Sequence, residues 1–289
     1  MLLRLHHAML TSLERQSGLP MAFDPAANAI HWPAGVSVGR TSARSAEEMR
    51  EYIREPGAHA DQVTIYTVWR EVARSDDKGR IRAAHLRYDI TVIPPGHFAG
   101  ECGEYFRTAG HYHPLKPGTA VAYPEVFEVI AGRAYWLIQR PARPAGGPSE
   151  NDPAALEEIY AVEAGPGQKA VMLPGFGHIS VNAFAEPLVM ANWISDTFAY
   201  DYEPFRTLRG GGYWLVAGEV PETIEFERNP NYRAVPELKK LRPAEVPELG
   251  LLRSRPLYAL AQHLEHLQFL NEPEKFRDIL TIEHCYRIL

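Results

Sequence analysis

From Val63 onward the chain breaks into short segments rich in β-branched and aromatic residues, each cut off by glycine or proline. This pattern restricts the fold more than any other feature of the sequence, because such segments are too short for helices and too regularly interrupted for a parallel α/β sheet. Val63 to Trp69 is the first of them. Tyr88, Ile90 and Val92 then alternate with Arg87, Asp89 and Thr91, the period-two pattern of a strand. Further strands are expected at Glu125–Ile130, Ala134–Gln139, Ile159–Val162, Ala170–Leu173, Leu188–Trp193 and Tyr213–Val216, with Pro141 to Pro153 as a Pro/Gly-rich loop. Many short strands joined by turns predict an all-β sandwich or barrel.

The two ends read differently. Leu2, Leu5, Met9 and Leu13 recur at helical spacing, so Met1 to Gln16 is expected to be a packed amphipathic helix. His6, His7, Glu14 and Arg15 interrupt its apolar stripe, which argues against a secretory signal. Ser45-Ala-Glu-Glu48 is a capping-box pattern, with Met49, Tyr52 and Ile53 on one face and Pro56-Gly57 ending the run. Near the other end Leu257, Leu260, Leu264 and Leu267 form a stripe that Pro273 stops. The expected organisation is a helical extension over 1–60, a strand-rich domain over 61–235 and a second helical extension over 236–289.

Composition adds exclusions. The chain is 45% hydrophobic and 23% charged, an ordinary globular balance. A net charge of −6 argues against a nucleic-acid surface but leaves room for a local basic pocket for phosphate. No segment approaches the length of a membrane span. Cys102 and Cys285 are too few for a disulfide framework, so a reducing cytoplasm is expected, and Cys102 reads as a packing residue.

The residues that carry chemistry are His111, His113, Glu125 and His178. His-x-His on a strand turns both imidazoles to one face. Glu125 precedes the turn-forming Gly132, and His178 follows the turn Pro174-Gly175. A lone strand histidine is ordinarily a satisfied structural residue, but three histidines and a carboxylate make a mixed N/O site for a divalent transition metal. Glu128, three residues along, must face the other way in a regular strand. The pairs His6/His7 and His263/His266 read as polar-face residues, and Gly210-Gly211-Gly212 as a turn without the lysine of a phosphate loop.

Gly-His-Tyr-His-Pro114, Tyr123-Pro-Glu-Val-Phe-Glu-Val129 and Pro174-Gly-Phe-Gly-His-Ile-Ser-Val-Asn182 resemble the two motifs of cupins. Together with Thr91-Val-Ile-Pro-Pro-Gly96, Thr108-Ala-Gly-His-Tyr-His-Pro114, Tyr213-Trp-Leu-Val and Asn229-Pro-Asn-Tyr232, they make the stretch from about residue 60 to 235 similar to the cupin-type glucose-6-phosphate isomerase family. The eleven residues between His113 and Glu125 exceed the general cupin spacing, and Pro114, Pro117 and Gly118 suggest a loop that absorbs the excess.

The resemblance implies a cupin double-stranded β-helix, a jelly-roll barrel, with the helical extensions added. It implies one divalent metal per chain, Fe2+ first and Mn2+, Zn2+ or Ni2+ as alternatives, held by His111, His113, Glu125 and His178. Glu125 would also be the catalytic base. Thr91, Thr108 and Gly110 match positions that grip a substrate phosphate, and Tyr202 would line the pocket. Arg107 stands where the family usually has lysine, and Tyr200-Asp201-Tyr202 where some members have His-Asp-Tyr. The implied activity is interconversion of glucose 6-phosphate and fructose 6-phosphate, by an enediol or a hydride shift, in a cytoplasmic homodimer whose partner is a small sugar phosphate, with neither nucleic acid nor membrane involved. The alternatives are a cupin dioxygenase, another sugar-phosphate isomerase or epimerase, or a non-catalytic sugar-binding regulatory cupin.

Overall fold

A computed structural model describes residues 10–57, 63–98, 103–142, 152–220 and 223–289. Cys102, the histidine pair His6/His7 and the first nine residues of the expected N-terminal helix lie outside them. Among the described residues, eleven strands build the barrel: β1 (Arg40–Ser45), β2 (Thr64–Arg70), β3 (Leu86–Ile93), β4 (Glu125–Ala131), β5 (Ala134–Ala142), β6 (Asp152–Ala164), β7 (Lys169–Met172), β8 (Gly177–Val181), β9 (Leu188–Ser195), β10 (Lys239–Pro243) and β11 (Tyr286–Ile288). One sheet has the order β7-β4-β9-β3-β2-β1 and is antiparallel throughout. The other has the order β8-β5-β6-β10-β11, with a single parallel pairing between β6 and β10. The two sheets make the all-β barrel that the strand pattern predicts, with the jelly-roll form that the resemblance implies.

Alternation along the first sheet decides what faces the interior. Tyr66, Val68 and Arg70 of β2, Asp89 and Thr91 of β3, Glu125 and Phe127 of β4, and Met190 and Asn192 of β9 all line one cavity. Every residue of β9 is buried, so its outer face needs a cover as well. That cover is the C-terminal segment. Trp193 Nε1 donates to the Leu257 carbonyl at 3.0 Å, and the Tyr258 ring stacks on Trp193 with centroids 6.1 Å apart. Leu257, Tyr258, Leu260, Leu267, Phe269 and Leu270 are buried there.

The terminal segments are less helical than their spacing suggests. Between residues 10 and 57 the helices are single turns, Glu14–Ser17 and Ala46–Met49, and much of the rest is extended, including a small sheet of Thr11–Ser12, Ala22–Asp24 and Ala29–His31. The Ser45–Glu48 capping box is present, but its helix stops after one turn. In the tail, Leu257–Gln262 and Leu264–Leu270 are 3-10 helices. The leucine pairs 257/260 and 264/267 are three apart, which matches the three-residue turn of a 3-10 helix better than 3.6. Pro273 opens another such turn instead of closing one, at a position where its missing N–H has no intrahelical partner to lose. The expected loop is also shorter, since Pro141 and Ala142 end β5 and Asp152 and Pro153 begin β6. Among the described residues no helix is long and apolar enough to cross a membrane.

Candidate metal centre

His111 and His113 sit not in a regular strand but in a segment that runs along the edge of β8. Arg107 bridges Val181 and His111 bridges His178, so four steps on one side answer three on the other. The extra residue is a bulge, a device that re-aims side chains. Gly110 makes it possible: its φ is 79°, and a Cβ there would lie 2.5 Å from Ile179 Cγ1 and 3.0 Å from the His178 carbonyl oxygen. The Thr108 hydroxyl completes the bulge by accepting the Ser180 N–H at 3.0 Å. Beyond it alternation resumes. His111 and His113 turn to the interior with ring centroids 5.0 Å apart, while Tyr112 turns away, stacks on Phe205 and accepts a bond from Gln139 Nε2 at 2.8 Å.

Glu125 Oε2 lies 3.6, 3.3 and 3.3 Å from the Nε2 atoms of His111, His113 and His178. None of these four atoms has a hydrogen-bond partner, although all are buried. A buried polar atom left unpaired costs about 1–3 kcal/mol, so four of them facing one point fit a cation better than they fit each other. The four ligand atoms lie within 4.8 Å of one another, and the group could hold a metal ion.

The surrounding bonds favour that state. His113 Nδ1 meets the Tyr123 carbonyl at 2.9 Å. A carbonyl only accepts, so Nδ1 carries the proton and Nε2 keeps its lone pair for a ligand. Glu125 Oε1 accepts from Asn192 Nδ2 at 2.6 Å, which leaves Oε2 for the centre. Burial, reinforced by the neighbouring His178, pushes His111 down to about 3, and burial lowers His178 too, so both stay neutral near pH 7. Burial alone would raise Glu125; the three imidazoles that face it outweigh burial and hold its carboxyl well below the usual range.

About 490 Å³ of space, open solvent at its mouth included, lies in the half-open cavity above this centre. Thr91, Thr108, Gly110 and Tyr202 all line it, together with the candidate ligands His111, Glu125 and His178. Glu128 faces the opposite way, in a buried ion pair with Lys169 at 2.7 Å. Arg107 is likewise turned from the cavity: its Nε meets Glu104 at 2.6 Å and its Nη2 meets the Tyr52 carbonyl. His263 pairs with Glu265 on the surface, away from this site.

Several residues of the site were not singled out from the sequence. Asn192, Asp89, Arg70 and Ser180 enter it through strand alternation. Phe198 and Tyr200 come from the same segment as the expected Tyr202, with successive ring centroids 6.0 and 5.9 Å apart. Phe198 lies 4.8 Å from His113, and Tyr200 lies 4.1 Å from His111. The period-two spacing of these aromatics was the available signal.

A jelly-roll barrel with three histidines and a glutamate converging in its interior defines a cupin. The family model described as Glucose-6-phosphate isomerase (GPI) matches residues 44–232, well over half of the chain, and the chain belongs to the cupin-type glucose-6-phosphate isomerase family. Among solved structures, a mutant of Bacillus subtilis oxalate decarboxylase is 16% identical with a TM-score of 0.31, over 48% of this chain and 28% of that one. Lactobacillus farciminis oxalate decarboxylase in its formate complex gives 17% and 0.32, over 50% and 32% of the two chains. The coconut allergen cocosin gives 15% and 0.32, over 56% and 31%. The chain thus spans about a third or less of these proteins. No curated protein matches it.

Proposed function

We propose that this chain is a metal-dependent aldose-ketose isomerase that interconverts glucose 6-phosphate and fructose 6-phosphate. The observation that carries this reading is the convergence of four unpartnered polar atoms at the floor of the cavity that Thr91, Thr108 and Gly110 line, in a chain of this family. A divalent ion bound by His111, His113, Glu125 and His178 would polarise the carbonyl of the open-chain sugar and acidify the adjacent C–H. The Thr91 hydroxyl and the Gly110 backbone would hold the phosphate, while Thr108, whose oxygen already accepts the Ser180 N–H, has its own proton to donate. Glu125, anchored through Oε1 by Asn192, would carry the proton between the two carbons.

The test is a coupled assay of fructose 6-phosphate turnover on protein stripped with chelator and then reloaded with Fe2+, Mn2+, Zn2+ or Ni2+. Activity should vanish on stripping and return with at least one ion. Free fructose should be a far poorer substrate. Full turnover by demonstrably metal-free protein, or equal turnover of both sugars, would sink the reading.

A further inference from the structure

Asp89 lines the cavity, and Arg87 stands behind it in a buried charge pair that the proposed chemistry leaves without a task. Arg87 Nε donates to both carboxylate oxygens of Asp89, at 3.1 and 2.9 Å. Asp89 Oδ1 also accepts the Glu71 N–H at 3.0 Å. The side chains are 15% and 4% exposed, so the pair is fixed in place. From there Arg87 Nη2 donates to the Tyr200 hydroxyl. A guanidinium has only donors, and a phenol has one proton. Tyr200 must therefore accept from Arg87, and its own proton has to point elsewhere. Among the described residues no protein acceptor takes it. Tyr200 lines the cavity, with its ring 4.1 Å from that of the candidate ligand His111.

We propose that Tyr200 is a catalytic residue whose hydroxyl, turned by the Arg87–Asp89 pair behind it, donates a hydrogen bond to an oxygen at the reacting end of an open-chain sugar phosphate. This rests on the isomerase reading above. When a base removes the proton from the carbon beside the carbonyl, the C–H electron pair forms the new C=C bond and the carbonyl π pair moves onto oxygen. That oxygen gains negative charge. A donor held in advance at such a position lowers the barrier, because nothing has to reorient as the charge appears. Arg87 and Asp89 are positioning residues: they touch the tyrosine, and the tyrosine touches the substrate. The same arrangement gives a task to a buried arginine behind the cavity wall, since its charge also draws electron density from the phenol and strengthens it as a donor.

The test compares metal-loaded wild type with Tyr200→Phe, Arg87→Lys and the double variant, each with metal content and circular dichroism matched to wild type. In Tyr200→Phe, kcat for fructose 6-phosphate should fall on the order of 10²–10³, as for a lost oxyanion donor, with KM changed only a few-fold. Arg87→Lys should lose less, and should add nothing once Tyr200 is Phe. Calorimetric binding of arabinonate 5-phosphate, whose carboxylate stands where charge would gather, should weaken at least tenfold in Tyr200→Phe. If wild type is active and Tyr200→Phe matches it in kcat and in binding, the tyrosine proposal is overturned and the isomerase reading stands. If wild type turns over neither sugar phosphate, the isomerase reading fails; a tenfold loss of arabinonate binding in Tyr200→Phe would still support the donor, and equal binding, or none by either protein, would overturn it. A double variant whose loss is the product of the single losses would overturn the positioning role of Arg87.

Discussion

The two oxygens of Glu125 have different neighbours, and this separates two roles that one carboxylate is asked to play. Oε1 is tied to Asn192, while Oε2 faces the three imidazoles. Glu125→Gln keeps the shape and one oxygen but removes the basicity. Its kcat should fall on the order of 10²–10⁴, the value of a general base, with part of the metal retained; near-normal kcat at full metal loading would place the base elsewhere or favour a hydride shift. His178→Ala removes one of the ligand atoms and should lower metal content and turnover together, as measured by metal analysis beside the assay. The same residues set a pH dependence in metal-free protein. His111 titrates at about 3 when folded, against about 6.5 when unfolded. Between these values the unfolded chain binds more protons, so stability should fall as pH drops from about 6.5 toward 3. Glu125, also lowered on folding, acts in the same direction at the acid end. Urea midpoints of apo-protein at pH 7 and 4.5 would show it, and a higher midpoint at 4.5 would contradict it. The four residues that converge here were legible in the sequence because their motifs are local. Asn192, Asp89 and Arg87 were not, since each becomes part of the site only through a cross-strand neighbour that sequence spacing does not reveal.

At the scale of elements, the bulge before His111 is the part that aims the site. Without the extra residue the period-two alternation of the edge segment would shift by one and turn Tyr112 inward in place of the histidines. Gly110→Ala forces a side chain into a left-handed backbone and against Ile179. It should destabilise by about 1–3 kcal/mol and lower metal affinity through displacement of His111. Thermal melts and metal titration check both; a variant with wild-type metal affinity would mean that the bulge does not position the ligand. Strands such as β3 and β9 were legible because β-branched and aromatic residues dominate them. The bulge was not, because a single Gly between Ala109 and His111 reads equally well as a turn. The terminal helices misled for a related reason: a leucine every third or fourth residue does not distinguish an α-helix from consecutive 3-10 turns.

Across the whole molecule, the site is held from behind. Glu128, on the far face of the strand that carries Glu125, pairs with Lys169 through one oxygen and takes the Leu257 N–H at 2.7 Å through the other. Glu128→Gln leaves a buried lysine without its counter-charge and should cost about 3–5 kcal/mol of stability, while kcat per folded molecule stays close to wild type. A large fall in kcat at full folding would instead link this pair to the chemistry. The function of the tail was not legible in advance, because nothing in Leu257 to Leu270 says which surface those side chains meet. Its placement has a practical outcome for anyone shortening the chain. A fragment trimmed to the 44–232 family match would bare the outer side of β9 and β4, with Trp193 and the Glu128–Lys169 pair newly wetted. Such a fragment is expected to go to inclusion bodies, and supplying residues 236–289 as a separate peptide during refolding should recover it.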